Sequence, residues 1–316
     1  MPRATHAVSV SLTRSATCST SDVEFRIATR GSALARWQAE HVAALLRAHG
    51  HRHTELVIVE TAADRRLDIP IDAMGGKGVF VKEIQAAVLD GRADIAVHSA
   101  KDLPAITPPG LVIAAVPERA DPRDVLIGVR LADLAPGSHV ATGSIRRRVQ
   151  LAALRPDLRF SGLRGNIITR LSRLAEFDAI LMAKAGLDRL GLEPDIVDIL
   201  DIETMLPQVG QGALAVECRT GDHERQAALR SIEHAATRAV VDAERAFLDE
   251  LGGDCDLPAG AHATVMGDLL TVRGMLASRD ASVLLRDTQQ GTDGPTVGRS
   301  VARALVARGG ASMLDR

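Results

Sequence analysis

Phe25-Arg26-Ile27-Ala28-Thr29-Arg30-Gly31-Ser32-Ala33-Leu34-Ala35-Arg36-Trp37 decides the fold class. It opens as an apolar strand, Phe25 to Thr29, and turns at Arg30-Gly31. It then reaches Ser32, whose hydroxyl can accept from the unbonded N–H groups of a helix start. Beyond the cap Leu34, Trp37, His41, Val42, Leu45 and Leu46 recur at helical spacing, and Gly50 ends the run. The same rhythm continues outward. Leu56-Val57-Ile58-Val59 reads as a strand, Val81 to Leu89 as a helix, and Asp94-Ile95-Ala96-Val97 and Leu111 to Val116 as further strands. Such β-α-β alternation implies sheets with parallel pairing and helices on both faces.

Between Pro117 and Pro122 the sequence turns polar and a second α/β set begins. It comprises a strand at Val125-Leu126-Ile127, a helix from Ile145, a strand near Phe160, a helix from Asn166 and a strand at Ala179 to Met182. After Pro207, Ala213 to Glu217 reads as a strand returning to the first set. From about Ala235 the order changes to a helix, strands near Val265 to Met275 and Val283 to Arg286, and a helix at Val297 to Ala307, which is an α+β module. The expected division is a disordered tail (1–23), a discontinuous α/β domain (24–117 with 213–232), a second α/β domain (118–212) and an α+β domain (233–316).

Composition narrows the function. The chain has 316 residues, 46% of them hydrophobic, which suits a globular protein, and no apolar run approaches the length of a membrane span. Net charge is −2, so an anion site must come from local clustering. Aromatics are only 2%, too few for a base-stacking platform, and nucleic acid is not an expected partner. The three cysteines, Cys18, Cys218 and Cys255, lie far apart without metal-ligand spacing, so neither a disulfide scaffold nor a metal site is expected. The first 22 residues are rich in Ser and Thr and lack the apolar core of a secretory signal. They read as a disordered tail, with a short transit peptide as the alternative, and a cytoplasmic location is expected.

Four segments carry chemistry. Thr29-Arg30-Gly31-Ser32 lies where a strand meets a helix, the place where α/β sheets gather anions; Arg30 can clamp a carboxylate there or be a surface charge. Val97-His98-Ser99-Ala100-Lys101-Asp102-Leu103-Pro104 runs a strand into a hydroxyl, a cation and a carboxylate, with Asp102 either a proton-handling group or part of a capped loop. Thr142-Gly143-Ser144-Ile145-Arg146-Arg147-Arg148, then Leu163-Arg164-Gly165-Asn166 and Arg170, belong to a stretch, 140–173, with eight arginines against the single acid Asp157. Arginine forks bind carboxylates bidentately, although Arg148, Arg155 and Arg173 read as solvated. Finally, Gly252-Gly253-Asp254-Cys255-Asp256-Leu257-Pro258 presents a cysteine on a Gly- and Pro-flanked loop, where an incidental thiol is the plain alternative.

Together and in this order, these segments resemble the porphobilinogen deaminase family from about Glu24 to the C-terminus. Gly75-Gly76-Lys77-Gly78-Val79-Phe80-Val81-Lys82-Glu83, Asp121-Pro122-Arg123-Asp124 and Leu206-Pro207-Gln208-Val209-Gly210-Gln211-Gly212 add to the resemblance. It implies two domains like those of periplasmic solute-binding proteins around a cleft, and a third carrying the cysteine on a loop. It implies a monomeric transferase of tetrapyrrole biosynthesis that takes porphobilinogen and holds a dipyrromethane cofactor by a thioether to Cys255. Porphobilinogen would lose ammonia to an electrophilic azafulvene, which the free α-carbon of the bound chain attacks. After four additions, hydrolysis would release hydroxymethylbilane.

By the same resemblance, Asp102 would lie beneath the pyrrole nitrogens and assist proton transfer. Lys101, Ser99, Thr142, Ser144, Arg146, Arg147, Arg164 and Arg170 would hold cofactor carboxylates, and Arg30, Ser32, Arg189 and Gln211 would bind substrate. Lys77 and Phe80 would belong to a lid. The chain departs from its relatives at Ala141-Thr142-Gly143-Ser144, at Ala62-Ala63-Asp64, between Arg170 and Asp178, where it is slightly short, and in the acids flanking Cys255. Two other readings compete. A two-lobed anion-binding module is disfavoured by the missing export signal and the presented cysteine, and an inactive relative by the presence of both Asp102 and Cys255.

Overall fold

The computed structural model describes residues 24–61, 81–253 and 257–314. The N-terminal tail, the lid residues Lys77 and Phe80, and Asp254, Cys255 and Asp256 lie outside the described residues.

The elements in chain order are β1 (Phe25–Thr29), α1 (Ala33–Ala48), β2 (Thr54–Ile58), α2 (Lys82–Leu89), β3 (Ile95–Ser99) and β4 (Leu111–Ala115). There follow β5 (Asp124–Ile127), β6 (His139–Ala141), α3 (Ile145–Leu154), β7 (Arg159–Ser161), α4 (Ile167–Ser172), β8 (Ala179–Ala183), α5 (Lys184–Leu190) and β9 (Val197–Ile199). The chain continues with β10 (Leu214–Arg219), α6 (His223–Leu229), α7 (Ala235–Glu250), β11 (Ala259–Met266), β12 (Leu269–Ala277), β13 (Leu284–Gly291) and α8 (Gly294–Leu305).

Among the described residues three sheets result. The first lobe has the order β2-β1-β3-β10-β4, and the second repeats the pattern as β7-β6-β8-β5-β9. In each, three parallel strands are followed by one antiparallel to both neighbours: β10 lies between β3 and β4, and β5 between β8 and β9. The sheets are thus mixed, where the β-α-β rhythm predicts parallel pairing. The physical reason is the connectivity. Each reversed strand follows a crossing from the other lobe, β4 into β5 and β9 into β10, and a strand arriving from the opposite side enters running the opposite way.

Apolar faces fix the packing. On α1 the buried Ala39, Val42, Ala43 and Leu46 form one stripe against Phe25, Ile27, Ile95 and Val97. On the other face of that sheet, Ile84, Ala87 and Val88 of α2 cover Ala28 and Ala96. The third module is an antiparallel meander, β11-β12-β13, rather than the two strands the sequence suggests, because Gly267 turns the chain inside that stretch at φ 59°. Helices α7 and α8 pack against it around Phe247, which is fully buried. A side chain at Gly298 would strike the Ala243 carbonyl oxygen, so only glycine allows α8 this close to α7. Val149 and Leu206 meet Met275 and Ala277 and seat the third module on the second lobe.

Candidate active site

The carboxyl ends of β1, β3 and β6 supply the polar residues. After β1, Ser32 caps α1 by accepting from the Ala35 N–H at 3.3 Å. After β3 the chain makes one 3-10 turn over Ala100–Asp102. A pocket between them is lined by Arg30, Ser32, Gln38, His98, Ser99 and Asp102, among others. Gln38 reaches from α1 to donate to Ser99 Oγ at 2.7 Å. Behind the pocket, His98 Nε2 lies 3.2 Å from Glu217 Oε2, and Gln85 donates to the same carboxylate at 2.9 Å. After β6, Thr142 Oγ1 accepts from the Ser144 N–H at 3.2 Å, and Ser144 caps α3. A Cβ at Gly143 would sit 2.6 Å from the Leu163 carbonyl oxygen, so this turn requires glycine.

That turn aims Arg146 and Arg147 inward. Both guanidiniums grip the fully buried Asp124 carboxylate at the start of β5, Arg146 Nη1 at 2.8 Å and Arg147 Nε at 2.9 Å. Gln211 donates to Asp124 Oδ1 at 2.8 Å, while its own oxygen accepts from Arg147 Nη2 at 3.3 Å and Lys101 Nζ at 3.5 Å. Two lobes and the segment crossing between them therefore share one hydrogen-bonded network.

Its charges do not balance. Among the described residues, Lys101, Arg146, Arg147 and Arg170 share the field of two carboxylates, Asp124 and Asp102, and Nε and Nη2 of Arg146 are buried without a hydrogen-bond partner. Buried donors left unpaired cost about 1–3 kcal/mol each, so the arrangement is suited to an anion. Burial is the largest influence on Lys101 and, with Arg147, brings its ammonium down to about 8, against Asp102 and Asp124. Burial also opposes ionisation of Asp124, yet Arg146, Arg147 and Gln211 hold its carboxyl below the ordinary carboxylate range. Arg170 is pushed down by burial and then by Arg147, while Asp102 pulls it up, which places Arg170 and Asp102 in the same field.

A family model described as porphobilinogen deaminase, dipyromethane cofactor binding domain, matches residues 25–227. A second, porphobilinogen deaminase, C-terminal domain, matches residues 239–307. The chain belongs to the porphobilinogen deaminase family. Porphobilinogen deaminase of Brevibacillus brevis is 45% identical over 298 residues, covering 92% of this chain and 96% of that protein. That of Acidithiobacillus ferrooxidans is 46% identical over 296 residues, covering 92% of this chain and 97% of its own. Among solved structures, the methionine binding protein MetQ aligns with a TM-score of 0.41 at 13% identity, over 66% of this chain and 88% of its own.

The porphobilinogen deaminase cofactor is a dipyrromethane, and each of its pyrroles bears an acetate and a propionate. The unpartnered donors of Arg146, beside Lys101 and Arg147, fit such a group. The other arginines fall into two sets. Arg170 donates to the Gly165 carbonyl at 2.7 Å and stays half-buried in the cluster's field, and Arg164 is exposed at its edge. Arg148 donates to the Arg279 carbonyl at 2.6 Å, Arg155 pairs with Asp157, and Arg173 with Glu176, all away from the cluster. Arg189 crosses between lobes: it donates to the Gly212 carbonyl at 2.7 Å and lies 5.7 Å from the centroid of the Trp37 ring. Burial brings it down to about 10, against Asp188. Cys218 is buried, and burial raises its thiol to about 11, which suits packing rather than reaction.

Sequence reasoning missed three structural contributors. Asp124, the counter-ion of the arginine pair, lies 23 residues before Arg147, and no local spacing announces it. Gln38 lies within the helical run after Ser32, and nothing in its spacing announces its bond to Ser99. Glu244 of α7 binds Arg119 through both oxygens, at 2.7 and 3.1 Å, and accepts from the N–H groups of Gly210 and Ala263. It thereby ties both interlobe crossings to the third module.

Proposed function

We propose that the chain catalyses the reaction of its family, joining four porphobilinogen units, each with loss of ammonia, onto a primer held by Cys255 and releasing hydroxymethylbilane. The observation that carries this reading is the buried excess of cations around Asp124 and Asp102, with two Arg146 donors unpaired among the described residues. A pyrrole chain adds two carboxylates per unit and needs such a lining. When bound, the dipyrromethane would supply the free pyrrole α-carbon to which the first unit is joined, each later unit joining the terminal pyrrole of the growing chain.

The chain's own residues act as follows. Arg146, Arg147, Lys101, Arg164 and Arg170, with the hydroxyls of Ser99, Thr142 and Ser144, hold carboxylates in place. Arg30 and Ser32, at the start of α1, bind an incoming unit where the N–H groups and dipole of the helix favour an anion. Departure of ammonia leaves positive charge on the substrate pyrrole, and the Asp102 carboxylate in the same pocket stabilises it without reorganising. The same group accepts or relays the proton released when the new carbon–carbon bond forms. Arg189, latched between lobes, steadies the pocket from the second lobe.

We take the three sheets to be three domains, 24–117 with 213–232, 118–212 and 233–316. We take the monomer to be the working unit, as the family resemblance implies. A thiol nucleophile suits a reducing compartment, which favours the cytoplasm. Among the described residues no helix is long and apolar enough to cross a membrane. The test is intact mass under denaturing conditions. The protein should carry a covalent dipyrromethane, and Cys255→Ala should fold with unmodified mass and no activity. An adduct that persists in Cys255→Ala, or maps to Cys18 or Cys218, overturns the assignment.

A further inference from the structure

The resemblance puts Gln211 at the substrate, yet its side chain is fully buried and all its hydrogen-bonding capacity is spent on protein. Its amide nitrogen donates to the Pro122 carbonyl at 2.7 Å and to Asp124 Oδ1 at 2.8 Å. Its oxygen accepts from Lys101 Nζ at 3.5 Å and Arg147 Nη2 at 3.3 Å. The backbone is fixed too: Arg119 Nε donates to the Gln211 carbonyl at 2.8 Å, and the Gln211 N–H to that of Gln208 at 2.9 Å. Lys101 belongs to the first lobe, Asp124 and Arg147 to the second, and Gln211 to the segment crossing between them.

We propose that Gln211 is a positioning residue that registers the Lys101 ammonium against the Arg146–Arg147 pair, so that the two halves of the anion site are set as one unit. Only a primary amide offers two donors toward a carboxylate and a carbonyl together with one acceptor shared by two cations. A carboxylate there would face Asp124 and the Pro122 carbonyl without a proton to donate. An apolar side chain would leave Lys101 and Arg147 without their shared acceptor. The inference rests on the reading above only for the identity of the anion.

The test compares Gln211→Met, Gln211→Glu and wild type, with Gln150→Met as a control for losing a buried amide. Gln150 is also buried, and it bonds to both the N–H and the carbonyl of Leu206. Trace acetylation across a range of pH, read by peptide mass spectrometry, gives the titration midpoint of Lys101. Among the described residues, the groups facing that ammonium are Arg146, Arg147, Asp102 and Asp124. With the acceptor gone, Gln211→Met should lower the midpoint; with a carboxylate in place, Gln211→Glu should raise it. Gln150→Met should lower thermal stability and leave the midpoint alone. In turnover, Gln211→Met should raise KM for porphobilinogen by about 10–100-fold, as expected for a lost hydrogen bond to a charged group, and change kcat less.

If Gln211→Met behaves like Gln150→Met, or if the two Gln211 variants shift Lys101 in the same direction, the amide is only packing and the proposal is overturned. Should Gln211→Met be insoluble, an unshifted midpoint in Gln211→Glu is sufficient to reject it. If neither wild type nor variants consume porphobilinogen, the proposed function fails, while the labelling still decides the role of Gln211.

Discussion

Asp124→Asn tests whether the arginine pair depends on a single internal counter-ion. The carboxylate is fully buried and contacts Arg146, Arg147 and Gln211 at 2.8, 2.9 and 2.8 Å. An asparagine keeps the shape and one acceptor, but its amide nitrogen must face a donor, either Gln211 Nε2 or Arg146 Nη1. Two buried guanidiniums then lose their compensating charge, and breaking a buried pair in this way costs about 3–5 kcal/mol. At about 2–4 °C per kcal/mol this becomes a fall in Tm of roughly 6–20 °C. The acid dependence has a definite sign. Because the folded state holds Asp124 below the ordinary carboxylate range, its contribution is present above the unfolded value and is lost as pH falls through the folded one. The gap between wild type and variant, followed by thermal denaturation, should therefore be steady near neutral pH and close only in acid. A multivalent anion such as citrate should narrow it by neutralising the abandoned arginines. A fall of less than about 3 °C at neutral pH, or a gap indifferent to acid and to citrate, would refute the reasoning, since the typical cost is several times larger.

Asp102→Asn should retain the covalent primer by mass yet lower kcat by about 10²–10³, the usual loss when a preorganised charge-stabilising group is removed. Wild-type turnover in that variant would make the carboxylate structural. Lys101 gives a pH signature on the alkaline side. Its ammonium is brought down to about 8, so Cys255→Ala protein should bind hydroxymethylbilane more weakly as pH rises through that value, as measured by calorimetry. The folding stability of the same protein should rise over that window, from about 8 to 10.5, because the cost of burying the ammonium is relieved while the unfolded chain still holds its proton. A binding constant that stays flat across it would show that Lys101 does not meet the anion.

Local signals carried much of the fold into the sequence. Ser32, Ser144 and Asn166 each cap a helix where a polar residue precedes an apolar or basic periodic run. The strands ending at Thr29, Ser99 and Ala183 could be read because short runs rich in apolar residues are buried on both faces. Strand direction could not be read, since alternation is the same in either sense, and so the reversed β5 and β10 emerged only from the pairing. Three-residue strands such as β6 and β9 are too short to show a period. At the site, the sequence marked out Lys101, Arg146 and Arg147 as candidate anion-holding groups and Gln211 as a candidate substrate group. It concealed how these groups are held, because Gln211 meets Arg147 across 64 positions and Glu244 meets Arg119 across 125. Support of this kind has no spacing rule.

The place of β10 also governs the order in which the chain can mature during synthesis. All five strands of the second lobe lie between Asp124 and Ile199, so that sheet can close as soon as this stretch has emerged. The first lobe must wait. Its β10 fills the gap between β3 and β4, pairing Ala215 with His98 and Arg219 with Leu111, and is made only after the whole second lobe. Until then β3 and β4 present unpaired backbone edges toward each other. A nascent or truncated chain ending before Arg219 is therefore a sticky half-sheet beside a finished one, and chaperone demand should peak in that interval of translation.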